Sequence, residues 1–133
     1  MRYLVPLGRF LYAVIFLMTP LHHFSAMGIG YAAHQGVPMA GVLVPLSGVI
    51  AFVGGVLITV GFRARAGAWL IVVFLVPVTL MMHNFWAVTD PMMAQVQAAM
   101  FFKNLSLLGG ALLIAHFGAG PISLDAGRGN GQH

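Results

Sequence analysis

The chain has 133 residues, of which 60% are apolar and 6% charged: six Lys or Arg against two Asp, with no Glu. A soluble domain carries about 25% charged residues, so this composition excludes a soluble globular protein and points to an integral membrane protein. The net charge of +4 comes from few, scattered basic residues, which argues against a nucleic-acid binder, and the lack of cysteine excludes disulfide exchange, thiolate metal sites and Cys nucleophiles.

Four apolar segments follow one another, each near the roughly 20 residues a helix needs to cross the hydrocarbon. The first covers about residues 5–24. Arg9 interrupts its apolar run and no small-x-small cleavage site follows, so it reads as a retained span rather than a signal peptide. The Ser25–Met39 loop, with Gly28, Gly30, Gly36 and Pro38, is long enough for a short re-entrant or interfacial element. The second span covers about residues 40–62. Phe62-Arg63-Ala64-Arg65 predicts a tight turn that makes it an antiparallel hairpin with the third, about 66–86. The fourth covers about 91–117, and Asp90 before Pro91 reads as an N-cap followed by proline at the first helical position. These spans form one domain, residues 1–125, expected to be an all-α transmembrane four-helix bundle. The Gly-rich tail, 126–133, reads as disordered unless a partner protein holds it.

With four spans, the N-terminus, the Phe62–Ala66 turn and the tail share one side. That side carries Arg2, Arg9, Arg63, Arg65 and Arg128, while the opposite loops carry no Lys or Arg. The positive-inside rule therefore predicts both termini of a multi-pass membrane protein in the cytoplasm.

Small residues mark helix contacts, because nothing but close packing drives helices together in lipid. Ser47, Ala51, Gly55 and Thr59 fall at i, i+4, i+8 and i+12 of the second span, and Gly109 and Gly110 are expected to act likewise in the fourth. Pro20, Pro45 and Pro77 are expected to kink helices and free carbonyls.

Counting from the loops places His22, His23, His83, Asn84, Lys103 and Asn104 in the outer half of the bundle. Lys103 lies about twelve residues into the fourth span at ~1.5 Å per residue, roughly 10 Å into the hydrocarbon. An ammonium there costs about 2.5–3.5 kcal/mol, and neither Asp90 nor Asp125 is placed to pair with it. It must deprotonate, bond to carbonyls or amides, snorkel outward, or meet an anion from a ligand, lipid or second subunit. His22 and His83 lack the i, i+4 partner or adjacent carboxylate of a metal site, so no metal is expected. Histidine at a span end hydrogen-bonds at the interface or relays protons. Arg9 and His116, at the other end, are expected among lipid head groups, and Tyr31, Phe85 and Trp86 in an interfacial aromatic belt.

These residues resemble the DoxX family of small four-span bacterial membrane proteins over nearly the whole chain. The resemblance rests on Gly8-Arg9 through His23-Phe24, then Gly36-Val37-Pro38, Leu46-Ser47-Gly48, Gly54-Gly55 and Gly61-Phe62-Arg63-Ala64-Arg65. It continues through His83-Asn84-Phe85-Trp86, Phe102-Lys103-Asn104-Leu105, Leu108-Gly109-Gly110, Gly118-Ala119-Gly120-Pro121 and Ser123-Leu124-Asp125. It implies a four-helix bundle in a bacterial inner (cytoplasmic) membrane and a link to membrane redox assemblies, including the small subunits of thiosulfate:quinone oxidoreductase. Distant relatives of the vitamin K epoxide reductase type work through cysteines, which this chain lacks. The expected function is an accessory, non-catalytic subunit of a larger membrane complex, in contact with lipid and other membrane subunits. The alternative is a quinone-binding component with Arg9, His22, His23, His83, Asn84, Lys103 and Asn104 around a pocket for a quinone or bound lipid.

Overall fold

A chain in hydrocarbon must satisfy its backbone amides internally, and long uncharged runs here do so as helices. The computed structural model describes residues 1–129. Helix α1 (Leu4–Leu17) breaks and resumes as α2 (Pro20–His23), followed by α3 (Ala26–His34), α4 (Ala40–Val60) and α5 (Ala64–Met82). A 3-10 turn (Phe85–Ala87), α6 (Pro91–Phe117) and α7 (Leu124–Gly129) complete the order, with no strand among the described residues. Four segments are long and apolar enough to cross a membrane: Leu4–His23, Ala40–Val60, Ala64–Ala87 and Pro91–Phe117. The protein is an all-α transmembrane bundle, as its composition and spacing predict.

Local chemistry sets the breaks. Pro20 has no amide to donate and stands at the first position of α2, where that donor is not needed. The Thr19 hydroxyl beside it donates to Phe16 O at 2.6 Å. The Asp90 carboxylate accepts from the Met92 amide at 3.1 Å, the cap that starts α6. Between α4 and α5, Gly61 adopts φ +69°. Its amide donates to Ile58 O, and that of Phe62 to Leu57 O, which closes α4 in two residues and makes the predicted hairpin.

Helix α4 packs between α1 and α5, and α5 packs against α6. The core joins Ala13, Phe16, Ala51, Ile58, Ala68, Ile71, Phe74, Leu75 and Ala111, and its many alanines let the helices approach closely. The expected small-residue stripe divides. Ala51 is fully buried, and a Cβ on Gly55 would meet the Phe16 side chain at 3.1 Å, on the α1 side. Thr59 and Ser47 turn their hydroxyls back to Gly55 O and Val44 O, both at 2.7 Å. In α6, Gly110 seats the Tyr12 ring, whereas the site of a Cβ on Gly109 has no neighbour within 4 Å. Gly109 therefore faces outward, and the expectation that both glycines pack inside the bundle is corrected for it.

The expected floppy tail is also corrected, for residues 126–129. They belong to α7, which is tied to the rest of the chain through Asp125 and started by the Ser123 hydroxyl accepting from the Ala126 amide. Residues 130–133 of that expected tail lie outside the described residues.

Candidate functional site

At the end away from the termini, residues of α2, α3, α4 and α5 line a groove of about 590 Å³. Its lining is almost entirely apolar, with Leu43, Val44, Ile50, Val73, Val78 and Met81 among it. Pro77 in its wall lacks the amide that would pair with the Val73 carbonyl in an unbroken helix. The few polar side chains in the lining are His22, His23, Tyr31, Ser47 and His83.

Each of these is positioned by a local device. Ser25 caps α3 by accepting from the Gly28 amide at 3.0 Å while donating to His22 O at 2.8 Å. Gly28 must lack a side chain because the His22 carbonyl occupies the place of its Cβ. His23 seats on Gly48, where a Cβ would lie 2.6 Å from that of the histidine. Its Nδ1 donates to Thr19 O at 3.0 Å, and its ring packs 5.6 Å from that of Phe74. His23 is thereby fixed as a packed wall residue, while His22 stays exposed.

Across the mouth runs a polar chain that links three helices. His83 Nδ1 at the end of α5 donates to Gln97 Oε1 of α6 at 2.7 Å. Gln97 Nε2 donates to the Tyr31 hydroxyl of α3 at 3.4 Å, and Gln35 Nε2 donates to the same oxygen at 3.3 Å. A phenol oxygen that accepts two N–H groups keeps its own proton free to donate, and a neutral imidazole that donates from Nδ1 keeps Nε2 free to accept. The mouth therefore offers one O–H donor and one nitrogen acceptor to a molecule in the groove. Gln97 and Gln35 were absent from the sequence-derived candidates, and Tyr31 had been assigned only to the aromatic belt.

The remaining candidates lie elsewhere. Asn84 is half-buried, and its carbonyl accepts from the Ala87 amide to close the 3-10 turn. That turn brings Phe85 and Trp86 against Phe101 of α6, with ring centroids 5.4 and 5.7 Å away. Asn104 is buried, but Lys103 is exposed on another face of α6, its Nζ 3.5 Å from Met100 Sδ one turn before it. The expected convergence of Lys103 with the histidines is corrected: adjacent helix residues share a depth but point about 100° apart.

Arg9 is corrected too. It is buried rather than set among head groups, at the end opposite the groove. Nη1 donates to Ala119 O at 2.7 Å and Nη2 to Ile122 O at 2.5 Å, which ties the segment after α6 to α1. Asp125 completes this latch: its two carboxylate oxygens accept from the Arg63 and Ala64 amides at 2.7 and 3.0 Å, capping α5 from the far end of the chain. The Arg128 guanidinium lies over the Phe62 ring at 4.6 Å. Among the described residues, no cluster of three His, Cys, Asp or Glu is arranged to hold a metal ion.

A small apolar-lined transmembrane bundle with a polar-mouthed groove and a latched C-terminal segment is the class this geometry defines. The SURF4 family profile matches residues 5–129, nearly the whole chain, and the chain belongs to the SURF4 family. That finding overturns the resemblance to DoxX. The glycines, the basic hairpin turn and the aromatic span ends that carried it are what close helix packing, orientation and interfacial anchoring require of any four-span bundle. The link to thiosulfate:quinone oxidoreductase and the bacterial inner-membrane placement rested on it and lose that support. No curated protein and no solved structure matches the chain.

Proposed function

We propose that this chain is a non-catalytic membrane protein that binds an elongated lipophile, its apolar body in the groove and an oxygen-bearing head at Tyr31 and His83. The observation that carries this is a groove of about 590 Å³ whose wall is almost entirely apolar, with Tyr31 and His83 among its few polar side chains. The volume falls within the roughly 300–1,000 Å³ of small-molecule sites. A quinone suits the mouth, since its carbonyl accepts from the Tyr31 hydroxyl, and a hydroxyl head suits it through His83 Nε2. The arginine distribution supports an orientation with both termini on the cytoplasmic side, which opens the groove toward the opposite leaflet.

Native mass spectrometry of the purified protein with a short-chain quinone tests the reading. A one-to-one adduct that Val44→Trp abolishes by filling the groove is the expected outcome. An adduct of equal abundance in Val44→Trp places the quinone elsewhere and overturns it.

A second reading, an accessory subunit of a larger membrane assembly, is favoured by the poor cover of α6. Only 11% of its span is buried within the bundle, against 22%, 28% and 33% for the others. Co-migration of other membrane subunits after extraction in mild detergent tests it, and a lone chain under those conditions counts against it.

A further inference from the structure

Lys103 poses an energetic problem that the chain does not solve. Twelve residues separate it from Pro91, so at ~1.5 Å per residue it lies about 18 Å along α6. The 27-residue helix is about 40 Å long against a hydrocarbon core of about 30 Å, which leaves the Lys103 backbone near the bilayer centre. The side chain is exposed, with the Met100 thioether as its polar neighbour at 3.5 Å. Both carboxylates of the chain are engaged far from it: Asp90 caps α6 at its start, and Asp125 caps α5 at the end bearing the termini. A counter-charge for Lys103 at this depth must come from outside the chain, and a second copy has no carboxylate at that level to offer.

The surrounding surface has the shape of a helix seat. Ala99 and Ser106 lie within about 60° of Lys103 around the helix and are exposed on the same side of α6. They have no visible role in packing this bundle, and small residues are what permit close approach of a further helix in lipid.

We infer that the outward face of α6 docks a transmembrane helix of a partner protein, and that this helix carries an Asp or Glu at mid-membrane depth which pairs with Lys103. This rests on the subunit reading above and specifies the chemistry of the partner. The pair satisfies a cation that lipid tails cannot, and Ala99 and Ser106 let the partner backbone come near enough for a short acidic side chain to reach Nζ.

The test is a photo-crosslinking residue at Ser106, introduced into the full chain in its own membrane, with the adducts sequenced. An adduct to a membrane segment of another protein with Asp or Glu within about one turn of the crosslinked position, reduced about tenfold by Lys103→Met, supports the inference. A protein adduct whose segment has no carboxylate, or one unaffected by Lys103→Met, overturns the charge pairing and leaves the subunit reading standing. Adducts to lipid alone overturn both, and show that Lys103 reaches head groups by itself. Because Lys103→Met removes only an exposed charge, retention of the bundle's melting temperature separates lost docking from lost folding.

Discussion

Gly54 of α4 and Gly67 of α5 face each other where these helices meet: a Cβ built on either would lie 2.9 to 3.0 Å from the other's carbonyl oxygen. Backbone carbonyls cannot move aside as a side-chain tip can. Gly67→Ala therefore separates the two helices despite alanine's better helix propensity, and is expected to destabilise the bundle by about 1–3 kcal/mol, the range for overpacked cores. Gly109→Ala, with open space at its Cβ, is the control expected to be neutral or slightly stabilising. Thermal unfolding of both variants in the same detergent checks the contrast; equal melting temperatures would show that the crossing relaxes freely.

Arg9 predicts a separable behaviour at the terminal end. Its guanidinium holds two carbonyls of one loop at once, which an ammonium on a single stem cannot do with the same fork geometry. Arg9→Lys is expected to keep the four spans folded but free the segment from Ala119 onward, at a cost of about 1.5–3 kcal/mol for hydrogen bonds to a charged group. Hydrogen exchange that speeds up in residues 119–129 and not in the spans is the expected reading. Protection that is unchanged there would assign the latch to Asp125 alone.

Asp125→Ala tests that other half. It removes the carboxylate that caps α5, and loss of an N-cap costs about 0.5–2 kcal/mol. The expected result is faster exchange at the Arg63 and Ala64 amides themselves, accompanied by release of α7. Asp125→Asn, which keeps an acceptor oxygen, is expected to recover part of the protection.

Depth was legible in the sequence and azimuth was not. Run lengths and loop charges place the four spans, the hairpin at Phe62–Arg65 and the Asp90 cap, because each depends on neighbours in the chain. Which way Lys103 points depends on which side of α6 is covered. That helix is apolar nearly all round, so its sequence holds no pattern from which the buried face could be read. Arg9 was misplaced for a different reason: its partners are carbonyls of an irregular segment 110 and 113 residues away, and carbonyls leave no residue-type signal. The mouth of the groove escaped likewise, since Gln97 and Tyr31, 66 residues apart, meet only once α3 folds back against α4.

The hydroxyl of Tyr31 gives the sharpest test of that mouth. Two glutamine amides donate to it, so Tyr31→Phe removes one oxygen and leaves both amides short of an acceptor while the ring keeps its packing. If the free phenol proton serves a carbonyl head group, Tyr31→Phe should weaken quinone binding about tenfold, the worth of one hydrogen bond of ~1.4 kcal/mol. Gln35→Leu, which removes one donor to the phenol and leaves its proton in place, should change affinity far less. Titration of both variants with the same short-chain quinone distinguishes the roles. Equal losses would mean that the chain of polar groups acts as a strap that shapes the groove, and that Tyr31 makes no bond to the ligand.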